Sequence, residues 1–339
     1  MNKEIRFAVV GCGRIGKRHI EMINATRGAL LVATCDLKSK VDLDIINDVE
    51  HYDSTKSLFS QVDNIDVVAI ASPNGLHALH AMEALKSGAH PIIEKPMALK
   101  VKDAEMVLHQ ALQNGKYVFG VMQNRYSPPS RWLKEIVSSK KMGSIFMVHI
   151  DCFWNRDDRY YKKGDWHGTK ELDGGTLFTQ FSHFIDILYW VFGDLNPTHV
   201  ELQNFNHKQS IDFEDSGMIH FDLNSGGKGS LNYSTSVWDS NLESSMTIIG
   251  ENGSIKIAGQ YMNEVVHCNI KGYQMPKLAE SNPPNNYGDY KGSAANHIHI
   301  YENVMSVLAG KSQITTNALE GLKVVDIIER IYKKARAAR

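Results

Sequence analysis

The chain is poor in cysteine, and its four cysteines, Cys12, Cys35, Cys152 and Cys268, form no CxxC pair. In a chain of 339 residues such scattered thiols indicate neither a disulfide framework nor a metal site. The sequence also lacks an apolar stretch long enough to span a bilayer and the apolar core of a signal peptide. We therefore expect reduced thiols, no membrane partner and a cytoplasmic location.

An excess of charge of either sign is missing as well, because 37 Lys and Arg residues stand against 38 Asp and Glu residues. No strongly basic block occurs, so the sequence does not indicate a nucleic-acid partner. The length allows two domains, each large enough to bury a core.

Up to about residue 122 apolar strands alternate with helical stretches, which predicts an α/β domain with a doubly wound parallel sheet over residues 1–122. After residue 123 a strong helical stretch precedes strand candidates that short turns separate. This pattern predicts an α+β domain with an open, mainly antiparallel sheet over residues 123–339. The expected elements are strands at 5–10, 30–35, 67–71, 91–94, 117–121, 198–205, 216–223, 228–234, 245–250 and 253–257, helices at 14–25, 76–87, 101–114, 176–192, 294–309 and 317–335, and a long loop at 279–292.

A glycine-rich turn joins the first predicted strand to the first helix. Gly11 permits the tight turn, Gly13 lets the backbone approach a pyrophosphate, and Gly16 allows the helix to pack closely on the strand. Asp36 ends the second strand, 20 residues beyond Gly16, where a carboxylate accepts hydrogen bonds from ribose hydroxyls. Because a carboxylate repels a 2′-phosphate, NAD is favoured over NADP, although Lys38 and Lys40 soften that repulsion.

Ser72, Asn74 and His77 follow the strand at 67–71, where loops border the ligand crevice, although a helix cap with an incidental histidine is the alternative. The expected cofactor-binding residues are Gly11, Gly13, Arg14, Ile15, Gly16, Asp36, Ser72, Asn74, His77, Glu94, Lys95 and Gln123.

Lys95 is the first catalytic candidate, because it ends an apolar strand that delivers its amine to the ligand crevice. In a partly dry crevice the pKa of a lysine falls, so that the amine can donate or relay a proton. A surface lysine beginning a loop is the weaker alternative, and Pro96 allows a cis peptide bond after it.

His183 is the second candidate. It recurs with Thr179, Asp186 and Trp190 at the spacing i, i+4, i+7 and i+11, so one helix carries all four on one face. An imidazole suits acid–base chemistry near neutral pH, and Asp186 is placed to orient the ring. A core histidine satisfied by Asp186 is an equally good interpretation.

Taken together, residues 9–16, Glu94-Lys95-Pro96, Gly174-Gly175 and His183-Phe184-Ile185-Asp186 resemble the Gfo/Idh/MocA oxidoreductases over essentially the whole chain. The resemblance implies a Rossmann domain followed by a domain whose open sheet commonly forms homodimer or homotetramer contacts. It also implies NAD(P)-dependent oxidation or reduction of a sugar or cyclitol hydroxyl, with Lys95 and His183 as catalytic residues. Many members carry an aspartate four residues before the histidine. This chain has Thr179 there, so proton removal falls to His183 or Lys95.

Residues 123–129, 154–156, 160–161, 165–168 and 172–175 resemble one branch of that family, the nucleotide-sugar 3-dehydrogenases. These oxidise UDP-N-acetylglucosaminuronate or UDP-N-acetylglucosamine for surface-polysaccharide assembly, and commonly have Trp-Arg-Gly where this chain has Trp166-His167-Gly168. Arginines suit a diphosphate and aromatic rings suit sugar or uracil faces, although cations of an ordinary loop are the alternative. The expected substrate-binding residues are Arg125, Tyr126, Trp154, Arg156, Arg159, Tyr160, Trp166, Thr179, Gln180 and His183.

Two other functions compete with this hypothesis. A free-sugar or inositol dehydrogenase needs no cations for a diphosphate, so Arg125, Arg156 and Arg159 would then be surface residues. A regulator that senses NADH without catalysis would keep the glycine turn but would not explain Lys95 and His183.

Overall fold

A computed structural model describes residues 4–43 and 49–337, and the chain divides into two compact units. The first unit consists of the residues up to Met122 together with His297–Val325, and the second of Gln123–Asn296 together with the residues from Asp326 onward. The predicted domains were residues 1–122 and 123–339, whereas the first compact unit also includes His297–Val325. A helical pattern predicts an apolar face but not the sheet or helix against which that face packs. The sequence therefore could not assign His297–Val325 to a unit.

The first unit contains a parallel sheet, as predicted. Its strands are β1 (Ile5–Val10), β2 (Ala29–Cys35), β3 (Glu50–Tyr52), β4 (Val67–Ile70), β5 (His90–Ile93) and β6 (Phe119–Gly120). They run in the order β3-β2-β1-β4-β5-β6, with β1 between β2 and β4. In a doubly wound sheet of this order, ligands bind at the carboxyl ends of the strands where the order reverses.

Helices follow the strands of this sheet: α1 (Arg14–Ala25), α2 (Thr55–Gln61), α3 (His77–Lys86) and α4 (Val101–Asn114), with a short 3₁₀ helix at Asn74–Leu76. The bounds of β1, α1 and α4 agree with the prediction. Every residue of β4 is buried, as expected for a strand covered on both faces. The sequence missed β3 and α2, because so short a strand and helix show too few repeats to reveal a period.

The second unit contains an open sheet, also as predicted. Its strands are β7 (Ile145–Phe153), β8 (Leu195–Gln203), β9 (Ser216–Leu223), β10 (Lys228–Ser234), β11 (Glu243–Gly250), β12 (Gly253–Ala258) and β13 (Glu264–Ile270). Their order is β13-β12-β11-β7-β10-β9-β8, and the pairs are antiparallel except for β7 with β10. The sequence missed β7 and β13, as well as β14 (Pro284–Asn286) and β15 (Lys291–Ala294), which pair inside the predicted loop.

The helices of the second unit include α5 (Pro128–Ser138), preceded by a 3₁₀ helix at Gln123–Tyr126. The single helix predicted at 176–192 is wrong, because α6 (Thr176–Thr179) and α7 (Ser182–Phe192) are separated at Gln180 and Phe181. The apolar period continues across this break. The side chains of Thr179 and Gln180, at this interruption, form hydrogen bonds to Asp173 and Arg156, which the local pattern does not reveal.

Two helices close the chain, α8 (His297–Leu308) and α9 (Ala318–Ala337). The buried face of α8 packs against α1 within the first unit. In the part of the chain that the structure describes, no helix combines the length and the apolar character needed to cross a membrane.

Candidate functional site

The turn between β1 and α1 needs glycine at two positions for lack of space. A Cβ on Gly11, whose φ is +83°, would lie 2.3 Å from the Ser72 nitrogen, and one on Gly16 would lie 1.9 Å from the Gly11 oxygen. Gly13 differs, because apart from its chain neighbours no described residue has an atom within 4 Å of a Cβ added there. Gly13 is also the N-cap residue of α1 and has no side chain that could accept a hydrogen bond from the first turn. A glycine with open space at the N-terminus of a helix fits a pyrophosphate.

Asp36 lies at the end of β2 and is tied to this turn by backbone hydrogen bonds. Its Oδ2 accepts from the Cys12 amide at 2.7 Å and its Oδ1 from the Lys38 amide at 3.0 Å. The Gly11 amide donates to the Cys35 carbonyl at 2.8 Å. A carboxylate is thus held beside the turn, where the Rossmann fold binds ribose hydroxyls.

His77 connects two loops at the carboxyl ends of β4 and β5. Its Nδ1 lies 2.7 Å from the Pro96 carbonyl oxygen and its Nε2 lies 2.8 Å from that of Ser72. Burial lowers the pKa of His77, although only the protonated ring donates to both oxygens. Ser72 and Asn74 are buried beside it. The His77 ring therefore links the two loops. The alternative interpretation, a helix cap with an incidental histidine, did not include that role.

Glu94 and Lys95 follow β5, and the Lys95–Pro96 peptide bond is cis. The Glu94 carboxylate accepts from His19 Nε2 at 3.1 Å, from His297 Nε2 at 3.3 Å and from the Lys95 amide at 3.1 Å. His19 Nδ1 in turn lies 2.6 Å from the Tyr301 hydroxyl. Burial by itself would raise the pKa of Glu94, but the hydrogen bonds from both histidines hold it well below its ordinary value. The sequence missed this buried network next to Lys95.

Arg125 is buried in the second unit and paired with a carboxylate. Its Nε donates to Asp186 Oδ2 at 2.8 Å and its Nη2 to Oδ1 at 2.6 Å. The guanidinium also lies 5.3 Å from the centre of the Trp190 ring. Asp186 and Trp190, which α7 presents on one face as expected, therefore bind an arginine that the sequence assigned to substrate.

Arg156 is equally buried, but its hydrogen bonds go to neutral groups. Its Nε donates to the Gln180 amide oxygen at 2.8 Å, and its Nη1 to the Asn155 carbonyl at 2.5 Å and to Asn241 Oδ1 at 3.2 Å. Its Nη2 donates to the Lys291 carbonyl at 3.1 Å. Within the described residues no carboxylate compensates this charge, and burial lowers the pKa of the Arg156 guanidinium.

Aromatic rings surround the same guanidinium. Its carbon lies 4.9 Å from the ring centre of Trp154, 5.4 Å from that of Tyr160 and 4.8 Å from that of Tyr290. The Gln180 amide donates to the Tyr160 hydroxyl at 2.8 Å. Most of this cluster was expected, but Tyr290 lies in the predicted loop and carried no recognisable signal.

The other predicted substrate residues have varied surroundings. Arg159 is exposed and bonded to Asp157 at 2.7 Å, so its charge is compensated at the surface. Trp166 stacks on the His167 ring at 3.9 Å. Tyr126 is buried beneath Arg131, and Gln123, which was assigned to the cofactor, is also buried in the second unit.

Thr179 and His183 are both buried, on α6 and in the first turn of α7. The Thr179 hydroxyl donates to the carboxylate of Asp173, which belongs to the segment 172–175 noted for its resemblance but was not among the expected site residues. His183 belongs to the second unit and Lys95 to the first, so each is held by its own scaffold.

Two family models match the chain. One describes the Gfo/Idh/MocA oxidoreductase family with its NAD-binding Rossmann fold and matches residues 5–121. The other describes the Gfo/Idh/MocA C-terminal domain and matches residues 130–256.

Similar solved structures extend over the whole chain. The WlbA dehydrogenase from Bordetella pertussis, in complex with NADH and UDP-GlcNAcA, has a TM-score of 0.86 and is 29% identical, covering 99% of this chain and 98% of that one. The WlbA enzyme from Chromobacterium violaceum, with the same ligands, has a TM-score of 0.86 and 29% identity, covering 100% and 96%.

A relative matched by sequence is named as an inositol dehydrogenase. It is the inositol 2-dehydrogenase/D-chiro-inositol 3-dehydrogenase of Halalkalibacterium halodurans, 24% identical over 196 residues. The match covers 56% of this chain and 53% of the relative, about half the length of each.

Proposed function

Because the chain belongs to the Gfo/Idh/MocA oxidoreductases, we propose that it oxidises carbon 3 of a UDP-N-acetylhexosamine or its uronic acid with NAD. The product would be a 3-keto nucleotide sugar for surface-polysaccharide precursors. The observation that carries this proposal is the full-length likeness, at 29% identity, to two dehydrogenases that bind UDP-GlcNAcA. A free polyol is the competing substrate, because an inositol dehydrogenase matches over about half the chain.

The surroundings of Arg156 support an anionic substrate. A buried cation whose described partners are neutral is stabilised when an anion comes near it, because burial removes the compensating water. Arginine also presents the paired donors that a diphosphate or a carboxylate accepts. Arg125 lacks this property, since Asp186 already compensates its charge.

Two residues would carry the proton chemistry, while bound NAD would supply the hydride acceptor. We assign removal of the substrate hydroxyl proton to His183, because histidine is the side chain best suited to accept a proton near neutral pH. We assign stabilisation of the developing alkoxide charge, or relay of the proton, to the Lys95 amine. A threonine hydroxyl cannot be the base at neutral pH, so Thr179 takes no proton in this scheme.

The substrate assignment is tested by following NADH formation with UDP-N-acetylglucosaminuronate, UDP-N-acetylglucosamine, glucose and myo-inositol. We expect turnover of at least one UDP-sugar at a kcat/KM well above that of both free polyols. Activity confined to glucose or myo-inositol would refute the nucleotide-sugar assignment while leaving the enzyme class intact.

Variants of the two proposed catalytic residues test the proton chemistry. Lys95→Ala and His183→Asn should each lower kcat by about 100-fold or more, because each removes a proton-handling group. Binding of NADH, followed by its fluorescence, should change little. Unchanged turnover in both variants would remove their catalytic assignment, and NADH binding without turnover in the wild-type protein would favour a regulator.

A matched pair of arginine variants tests the anion site. Arg156→Met should raise KM for the UDP-sugar, whereas Arg159→Gln removes an exposed cation already bonded to Asp157 and should leave KM unchanged. Equal effects of the two substitutions would contradict the role of Arg156.

A further inference from the structure

A chain of hydrogen bonds leads from β3, at one edge of the first sheet, to the carboxylate of Asp36. The His51 ring lies between two groups, with the Thr34 hydroxyl 2.9 Å from its Nδ1 and the Lys38 carbonyl oxygen 2.8 Å from its Nε2. The Lys38 amide in turn donates to Asp36 Oδ1 at 3.0 Å. One residue of backbone thus connects the imidazole to the carboxylate that the Rossmann fold places at the ribose.

The direction of these hydrogen bonds follows from the Lys38 carbonyl. A carbonyl oxygen only accepts, so the proton of this bond belongs to His51 Nε2. In the neutral ring Nδ1 then accepts from the Thr34 hydroxyl. In the protonated ring Nδ1 donates to that hydroxyl, which can donate to the Glu50 carbonyl 3.4 Å away. The bond from Nε2 to the Lys38 carbonyl is therefore present in both protonation states.

The two amides that bond to the Asp36 carboxylate differ in how their backbone is held. Cys12, whose amide donates to Oδ2 at 2.7 Å, is fully buried in the glycine turn. Lys38 is exposed, and Leu37 beside it is 91% exposed. Because exposed segments have few packing contacts to restrict their backbone, the bond from His51 supplies a restraint where packing is weak.

This restraint bears on the orientation of the carboxylate. The two amides bond to different oxygens of Asp36, which fixes the plane of the group. A carboxylate has about four lone-pair sites, so this arrangement presents about two of them to the neighbouring ribose hydroxyls. If the Lys38 amide moved, the carboxylate could turn, and its charge would repel a 2′-phosphate less strongly.

We propose that His51 is a positioning residue for the cofactor. It acts through the Lys38 backbone on Asp36, and it sharpens the preference for NAD over NADP without contacting either dinucleotide. The NAD-binding family model, which matches residues 5–121, includes every residue of this chain of bonds. The inference rests on the cofactor named in the proposed function but not on its sugar substrate, so the two can fail separately.

Fluorescence titration with NADH and with NADPH tests this role without any substrate. The wild type should bind NADH at least about 10-fold more tightly than NADPH, because the Asp36 carboxylate accepts from ribose hydroxyls and repels a 2′-phosphate. His51→Phe keeps a ring but removes both ring nitrogens. We expect it to weaken NADH binding by about 5- to 10-fold, as for partial loss of the ribose hydrogen bonds, without weakening NADPH binding. The ratio of the two dissociation constants should therefore fall.

The conservative variant at this position is glutamine. Its side-chain NH₂ group can donate to the Lys38 carbonyl in place of Nε2, so His51→Gln should keep the ratio within about 3-fold of the wild type. His51→Asn is too short to do so and should resemble His51→Phe, for which it substitutes if the phenylalanine variant does not fold. His109, which is exposed on α4, provides the control, and His109→Phe should leave both dissociation constants unchanged.

A second background separates positioning from a general loosening of the unit. In Asp36→Ala the group through which His51 acts is gone, so adding His51→Phe should change the ratio by less than about 2-fold. Thermal melting checks that each variant is folded.

Three results would overturn the role of His51. They are an equal loss of both dinucleotides in His51→Phe, an unchanged ratio in that variant, and a wild type without preference for NADH. A wild type that prefers NADH but turns over no UDP-sugar would instead refute the proposed substrate alone.

Discussion

The two units each bury a glutamate at nearly the same depth, 6% exposed for Glu94 and 7% for Glu214, with opposite consequences for the carboxyl group. Two imidazoles bond to Glu94 in the first unit, and its pKa lies well below the ordinary value. In the second unit, Glu214 Oε1 accepts from the hydroxyls of Tyr332 at 2.7 Å and Tyr233 at 3.0 Å. Burial raises the pKa of Glu214 to about 7 in spite of these bonds.

For these two carboxyl groups, the hydrogen-bond donors rather than the depth of burial set the direction of the pKa shift. Burial disfavours the anion in both cases, and imidazoles, which can carry positive charge, overcome this penalty while neutral hydroxyls do not. The pH dependence of stability therefore has opposite signs. The contribution of Glu94 is present above its unfolded-state pKa and is lost as the pH falls, whereas that of Glu214 is present in acid and is lost as the pH rises towards about 7.

The largest effect should come from removing the Glu94 carboxylate. Glu94→Ala leaves His19 and His297 buried without their shared acceptor, and we expect a loss of about 3–5 kcal/mol in the free energy of unfolding. Urea unfolding at pH 7 measures it, with Glu214→Gln as the control for loss of a buried carboxylate. A loss no larger than that of the control would show that the two imidazoles do not depend on the Glu94 carboxylate.

Next in size is the pH dependence that Glu214 contributes. Because its pKa is about 7 in the fold against 4.5 ordinarily, wild-type stability should fall relative to Glu214→Gln as the pH rises from 4.5 to 8. The accumulated difference should be roughly 3 kcal/mol, at about 1.4 kcal/mol for each unit of pKa. Urea titrations at several pH values measure this difference, and a constant offset between the two proteins would contradict the raised pKa.

A smaller effect is expected from the tyrosines that support Glu214. Tyr332→Phe and Tyr233→Phe each remove one hydroxyl donor, which should cost about 1 kcal/mol and raise the pKa of Glu214 further. The midpoint of the pH-dependent stability loss should therefore move upward in both variants. If it stays in place, the hydroxyls do not stabilise the carboxylate.

The smallest effect should come from a surface ion pair. Its variant tests whether a charged group must be buried to affect stability. Arg159 and Asp157 are 43% and 38% exposed, so solvent screens their attraction. Arg159→Gln should leave the thermal midpoint unchanged at every pH tested. A shift in the thermal midpoint as large as that of Tyr332→Phe would mean that exposed charges affect stability as much as the buried carboxyl groups do.

Much of the first unit could be predicted because its signals are local. The bounds of β1, α1 and α4 follow from hydrophobic periods, and Gly11 and Gly16 occupy positions where a Cβ would overlap backbone. The second unit was predicted less completely. Its sheet includes β7 and β13, which the sequence missed, and the helix predicted at 176–192 is interrupted where Thr179 and Gln180 bond to other segments.

Residue types at short spacing were sufficient to predict the α/β class, the glycine-rich turn with Asp36 close to it and the family. The charge and the hydrogen-bond partners of the buried polar groups, in contrast, depend on contacts between residues that are far apart in the chain. Asp186 binds Arg125 across 61 residues, and His297 reaches Glu94 across 203. No local sequence pattern predicts such pairs. Bringing their residues together costs chain entropy, and packing of the whole unit offsets that cost.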